Sequence, residues 1–385
     1  MARSMFKGRS LTFLTIMFVG ALIGTSVLGA MNVQAAVPSA PVGDGTSVSV
    51  AFTIYKDGSG YTCAKNSATG AIDFRNTNSK WVIQKTIDKL SGGYILIKAG
   101  TYSITQTIYT NKVSIIGEGN ATILKSTSTC SGAIIRVCDD YWTLDYRYMS
   151  ARPNGITIGN MQIDGSKGSG GRQLEGVGFI DCLNSRIVKV YAHNIAAGQG
   201  LYMSNSQYCS IIDCVIDNVG DNSYANYGSG IAFGEASRTH VACSYITIDN
   251  VRITRTSMSA IDLEPANHVT IKNCVFRDAT TWKGYRTPVI TEYNIAGYAI
   301  CDYITVTGCI VYGAFSEFVI LSPSSHSTVS KNQVTLTTGT IPAIYSINSH
   351  SNTITGNVIK SLSSRPIQTV SCTGFVISGN TLLHL

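Results

Sequence analysis

The sequence predicts an all-β chain wound as a parallel β-solenoid, closed at its N-terminal end by one short capping helix. Two observations carry this expectation. First, a motif of branched apolar residues around single polar ones, ending in a small or amide residue and a further apolar pair, keeps returning. It reads ITIGNMQI from Ile156, IIDCVI from Ile211, ITIDNVRI from Ile246 and VTIKNCVF from Val269. It returns as ITVTGCIV from Ile304, STVSKNQV from Ser327, NTITGNVI from Asn352 and FVISGNTL from Phe375. Most neighbouring copies lie 21 to 25 residues apart, and the wider gaps hold inserted loops. Such a period marks one supersecondary unit that buries its apolar face only by stacking on a copy of itself. Second, each unit carries another alternating strand upstream, such as GVGFIDCLN from Gly176, GLYMSNSQ from Gly200, GIAFGEASR from Gly230, AIDLEPANH from Ala260 and FVILSPSSH from Phe318. Alternation sends Ile231, Phe233, Ile261 and Leu263 inward, and Ala232, Gly234, Asp262 and Glu264 outward.

Taken from the N-terminus, residues 1–36 read as an export signal: basic Arg3, Lys7 and Arg9, an apolar stretch from Leu11 to Ala30, and small residues around Val33-Gln34-Ala35. The apolar stretch is long for a signal, so left uncleaved it would serve as a membrane anchor. Either form implies a secreted or cell-surface protein. Residues 37–77 read as a linker leading into the fold, and 78–385 as the solenoid. Asn78-Ser79 is a capping pair for a helix running to Leu90, with Val82 or Ile83, Ile87 and Leu90 on one face. Gly92-Gly93 ends it and YILIKAGTYSI begins strand pairing. A helix there plugs the open end of a solenoid, which otherwise exposes its core and an unpaired strand edge.

Composition excludes several classes. Only 13% of the 385 residues are charged and Gly is abundant at 37, so this is no disordered chain. The formal charge of +7 relaxes once the leader is set aside: without Arg3, Lys7 and Arg9 the 29 basic residues fall to 26 against 22 acidic. No run of Lys or Arg supports nucleic-acid binding. Of the eleven cysteines, Cys214, Cys274 and Cys309 share one repeat position, which passes to Asn332, Asn357 and Asn380 further along. That pattern implies a stacked column of buried thiols followed by amides that bond from rung to rung. Cys130 and Cys138 flank a loop and are the pair to test for a disulfide, the pairing itself being open.

The block WVIQKTIDKLSGGYILIKAGTYSITQTIYTNKVSIIGEGNATILK, with its Ile-Gln and Ile-Asp helix, Gly-Gly, apolar strand, Gly-Thr-Tyr turn and Gly-Glu-Gly, resembles the N-terminal block of the pectate-lyase-like superfamily. With the repeats, the resemblance covers roughly residues 78–385. It implies right-handed winding. For activity it implies only a range: pectin and alginate lyases, glycoside hydrolases, sugar epimerases, phage tailspikes and non-catalytic proteins. The strings that mark pectate lyases, polygalacturonases and mannuronan epimerases are absent, so no catalytic residue is carried over.

From the residues themselves, one constellation stands out. Outward positions of adjacent rungs form columns about 4.8 Å apart per step. One column aligns Gly178, Tyr202, Ala232, Asp262 and Ile320, the next Ile180, Ser204, Gly234, Glu264 and Ser322. Asp262 and Glu264, two apart on one face, have Cα atoms about 6.5–7 Å apart, and Ser204, Gly234 and Ser322 would leave room around Glu264. Two such carboxylates suit an inverting glycosidase, with Glu264 as proton donor and Asp262 or Glu235 as base; Asp181 and Glu235 would complete an acidic cluster. His268, aligned with Arg238 and His326, and Arg238 itself would instead serve a lyase, with Ca²⁺ held by the acidic cluster. Tyr202 stands on the same face, and inserted loops supply Tyr227, Trp282, Tyr285 and Arg286 for sugar binding. The expectation is an extracellular polysaccharide-binding and polysaccharide-cleaving protein, hydrolysis ahead of elimination. The rival is a non-catalytic surface or filament protein, since a stiff solenoid alone establishes no activity.

Overall fold

In the computed structural model, residues 49–138, 152–167, 174–220, 228–234, 242–278, 288–292 and 301–385 are described. The expected leader lies outside them. They form a parallel β-helix in which each turn contributes strands to two sheets. One sheet gathers 25 strands and the other 10. The smaller runs from Ile108–Thr110 through Gly132–Val137, Leu174–Ile180, Gly198–Ser204, Gly228–Gly234 and Ile261–Leu263 to Ile290–Glu292, Val319–Leu321, Ile344–Ile347 and Ile367–Val370. Inward residues stack into one apolar column after another: Ile231, Phe233, Ile261 and Leu263 are all at most 1% exposed.

The repeat has a backbone cause. The small or amide position of all eight motif copies is left-handed, with φ of 56° at Asn160, 54° at Asp213, 53° at Asn250, 56° at Asn273, 64° at Gly308, 56° at Lys331, 64° at Gly356 and 61° at Gly379. Gly, Asn and Asp tolerate that region best, so the motif spells the corner where the chain turns between strands. The next position is the expected column. Cys214, Cys274 and Cys309 point their thiols at backbone carbonyls of Ile212, Lys272 and Thr307. Asn332 Nδ2 then donates to Asn357 Oδ1, and Asn357 Nδ2 to Asn380 Oδ1, both at 2.9 Å.

The helix α1 spans Ser79–Lys89; the Asn78 side chain caps it by accepting from the Trp81 N–H, and Val82, Ile83 and Ile87 are buried. Its Gln84 amide grips the first strand of the smaller sheet, donating to Tyr109 O and accepting from Tyr109 N, each at 3.0 Å. The free strand edge is thereby paired by a side chain.

Two expectations need correction. Residues 50–76 are more than a linker: Val50–Lys56, Thr62–Asn66 and Ile72–Asn76 form antiparallel strands, and the first pairs in parallel with Gly93–Ile97. Phe52 and Ile54, 2% and 0% exposed, extend the core there. Gly58, Ser59 and Gly60 lie in a tight turn in which Asp57 Oδ1 accepts from Ser59 N and Tyr61 N. No disulfide joins Cys130 and Cys138, both of which are buried.

Candidate functional site

The outward column of the smaller sheet is continuous by register: Tyr109, Arg136, Gly178, Tyr202, Ala232, Asp262, Thr291, Ile320. It contains the expected order and extends it: Tyr109 and Arg136 precede it, and one rung is inserted within it. Thr291 stands between Asp262 and Ile320, because the three-residue strand Ile290–Glu292 forms a rung of its own.

Asp262 sits at the centre of the short strand Ile261–Leu263, between two fully buried neighbours. It is half-buried, and its Oδ1 is sealed from water without a hydrogen-bond partner. Burial, with the Glu264 charge adding to it, pushes this carboxyl up to about 8. Glu264 follows the strand, tied by its N–H to Phe233 O at 3.3 Å, and burial raises its carboxyl too. The pair is therefore present as alternation predicts, and its environment holds a proton on Asp262 at neutral pH.

The neighbouring rungs differ from expectation. Gly234 does not open space beside Glu264: a Cβ there would lie 2.1 Å from the Tyr202 hydroxyl oxygen, so the glycine accommodates the Tyr202 ring. Ser204 is 1% exposed, its hydroxyl without a hydrogen-bond partner. Two rungs further toward α1, Arg136 Nη2 meets Glu175 Oε2 at 2.8 Å, and the Glu175 carboxylate lies over Gly178, where a Cβ would come within 2.5 Å. This ion pair on the same face escaped the sequence reading. The alternation of GAIIRV would have placed Arg136 outward, had the rung Gly132–Val137 been aligned with the later ones.

The other expected residues scatter. Asp181 does not join the carboxylate pair. It is 7% exposed, bonded to Arg152 Nε at 2.7 Å and to Asn205 Nδ2 at 2.9 Å, so it fastens a turn. His268 is exposed at a left-handed corner of the turn after Asp262, stacked between Tyr245 and Tyr303 with ring centroids 4.6 Å from each. Its neighbours in that ladder are Tyr208 beyond Tyr245 and His326 beyond Tyr303, at 4.8 Å each. Glu235, Arg238, Tyr227, Trp282, Tyr285 and Arg286 lie outside the described residues. Among the described residues no three His, Cys, Asp or Glu side chains converge as a metal site would require, and no helix is long and apolar enough to cross a membrane.

Comparison with known proteins places this geometry. Residues 199–383 match the family model described as the right handed beta helix region. No curated protein matches the chain. Among solved structures, ORF18 of Geobacillus virus E2 is similar at 14% identity, covering 86% of this chain and 69% of that one, with a TM-score of 0.57. The tailspike protein of E. coli bacteriophage HK620, solved in complex with a pentasaccharide, is similar at 14% identity, covering 79% of this chain and 62% of its own, with a TM-score of 0.53. The chain thus spans less than two thirds of the tailspike, and the likeness to both is one of fold. With the parallel rungs described above, these matches establish the fold as a right-handed parallel β-helix.

Proposed function

We propose that the outward face of the smaller sheet binds a polysaccharide and hydrolyses it, with Asp262 as general acid and Glu264 as general base. The supporting observation is the buried, unpartnered Oδ1 of Asp262 beside a second carboxyl whose proton affinity is also raised. A carboxyl that keeps its proton near pH 7 protonates a leaving glycosidic oxygen; its ionised neighbour removes a proton from the attacking water. The roles are reversed from those expected from sequence, because Asp262, not Glu264, is the more desolvated group. In the bond-breaking step the Asp262 proton passes to the leaving oxygen as the glycosidic C–O bond breaks. Water adds to the anomeric carbon and gives its proton to Glu264.

Tailspike HK620 was solved with a pentasaccharide bound, which supports a glycan as ligand for this fold. Export of the chain, proposed from residues 1–36, would bring it to such polymers. Elimination with Ca²⁺ is the weaker alternative: His268 is stacked in a ladder rather than set beside the carboxylates.

The test is reducing-end release from neutral and acidic polysaccharides across pH. Wild-type kcat/KM is expected to fall as pH rises through about 8, where Asp262 loses its proton, and Asp262→Asn to lose about 10²–10⁴-fold. Cleavage that survives in both Asp262→Asn and Glu264→Gln would move the site elsewhere. Glycan binding without cleavage by the wild type would make this a binding or surface-structural protein.

A further inference from the structure

The cleft between α1 and the first rung of the smaller sheet is separate from the carboxylate pair and has its own chemistry. Its volume is about 640 Å³, and its walls include Lys80, Trp81, Lys85, Tyr109 and Lys112. Trp81 is 39% exposed and held edge-on against Phe74, with ring centroids 6.1 Å apart at 87°. Tyr109 is fixed through its backbone by both ends of the Gln84 amide. Two aromatic side chains thus line the walls.

The cations are the informative part. Nearby Lys89 is paired with Asp73 at 2.7 Å and Lys98 with Glu118. Among the described residues Lys80, Lys85 and Lys112 form no such pair. Asp88, the one acid lining the cleft among the described residues, accepts instead from Gln84 Nε2 at 3.0 Å. Among the described lining residues, three lysines against one aspartate leave a surplus of two positive charges. Lys80 is half-buried, and burial lowers the pKa of its ammonium. The Asp88 charge offsets this only in part, so an anion entering the cleft stabilises the ammonium further.

Position connects the cleft to the face described above. Tyr109 heads the outward column that reaches Asp262 five rungs later, a span of about 24 Å at 4.8 Å per rung. An oligosaccharide lying along the column would present one end at Tyr109. We propose that this cleft is a second glycan-binding site, selective for a sugar unit carrying a carboxylate or sulfate, which the lysines neutralise while Trp81 and Tyr109 cover the ring's apolar face. It rests on the reading above only in supposing that a glycan follows this face.

Calorimetric titration of the full chain, in the non-cleaving Asp262→Asn background, tests the assignment. Probes are a uronate-bearing oligosaccharide, a sulfated one, a neutral one of equal length, and inorganic phosphate and sulfate. The acidic oligosaccharides are expected to bind at least tenfold more tightly than the neutral one, and more weakly as salt rises. Replacing Lys80, Lys85 and Lys112 together by Gln should abolish the difference between acidic and neutral ligands; Trp81→Phe should keep it and Trp81→Ala should weaken all three. Relative affinities of the uronate and the sulfated ligand identify which anion the cleft prefers. Equal affinity for acidic and neutral ligands, or undiminished acidic binding in the triple variant, would overturn the proposal while leaving the carboxylate-pair reading intact. Full displacement by equimolar phosphate would reduce the cleft to a general anion site and overturn it too. Binding of no oligosaccharide at all would sink both readings.

Discussion

Two columns of polar side chains run along this solenoid and obey opposite rules. In the buried column at Asn332, Asn357 and Asn380, every amide meets a partner one rung away, and its Nδ2 also reaches a backbone carbonyl. On the outward face of the smaller sheet and the turn beyond it, several polar atoms are shielded from water and lack hydrogen-bond partners. Five buried side-chain atoms of the described residues lack hydrogen-bond partners, and four of them, on Arg136, Ser204, Asn205 and Asp262, lie on this sheet or at the turn just beyond it. A group that costs stability without a partner is retained where a ligand or a reaction uses it. The first column holds the fold together; the second is where chemistry would be performed.

The largest expected effect breaks the satisfied column. Asn357→Ala removes the acceptor for Asn332 N and Nδ2 and the donor to Asn380 Oδ1 and Val329 O, in a site that water does not reach. Stranding those groups should cost about 3 kcal/mol in equilibrium urea unfolding and leave glycan cleavage per folded molecule unchanged. A cost below about 0.5 kcal/mol would mean that the ladder is decoration.

The second prediction runs in the opposite direction at the unmatched column. The folded-state pKa of Asp262, about 8, lies above that of a carboxyl in the unfolded chain, so the folded protein binds this proton more tightly. Its contribution to stability is complete below about pH 4 and is lost as pH rises toward 8. Asp262→Asn carries no proton to lose. In urea unfolding it should match the wild type near pH 4 and exceed it near pH 8 by on the order of 2 kcal/mol. A variant that stabilises equally at both pH values would show that the gain has nothing to do with Asp262 titration.

The same contrast explains what was legible in the sequence. The satisfied column announces itself because identical chemistry recurs at one position, Cys and then Asn, and because the preceding corner takes residues suited to positive φ. Asp262 and Glu264 were placed on one face by alternation alone. Which of them holds the proton was not readable, since that depends on how deeply each carboxyl is covered. Neither was the Tyr202 ring lying over Gly234: a glycine in an outward column looks like room for a ligand until a long neighbour from the adjacent rung is seen to fill it. The rung at Ile290–Glu292 was passed over because three residues are too few to show a period. The ladder of Tyr208, Tyr245, His268, Tyr303 and His326 was hidden for another reason: these rings stand at corners with φ between 51° and 58°, where propensity predicts Asn or Gly.

That ladder sets the smallest and sharpest test, because it combines a satisfied column with an unfavourable backbone. Tyr303 is 45% exposed, has φ of 58°, and stacks on His268 and His326 at 4.6 and 4.8 Å. Tyr303→Ala should lose two ring contacts, worth about 0.5–1.5 kcal/mol each, while keeping a Cβ in the left-handed region. Tyr303→Gly loses the same contacts but removes the Cβ, recovering about 1 kcal/mol of strain at this corner. Urea unfolding should therefore show Ala destabilised by about 1–2 kcal/mol and Gly by about half of that or less. If Gly proves as damaging as Ala, the corner is unstrained, and stacking alone accounts for aromatic rings where asparagine would have sufficed.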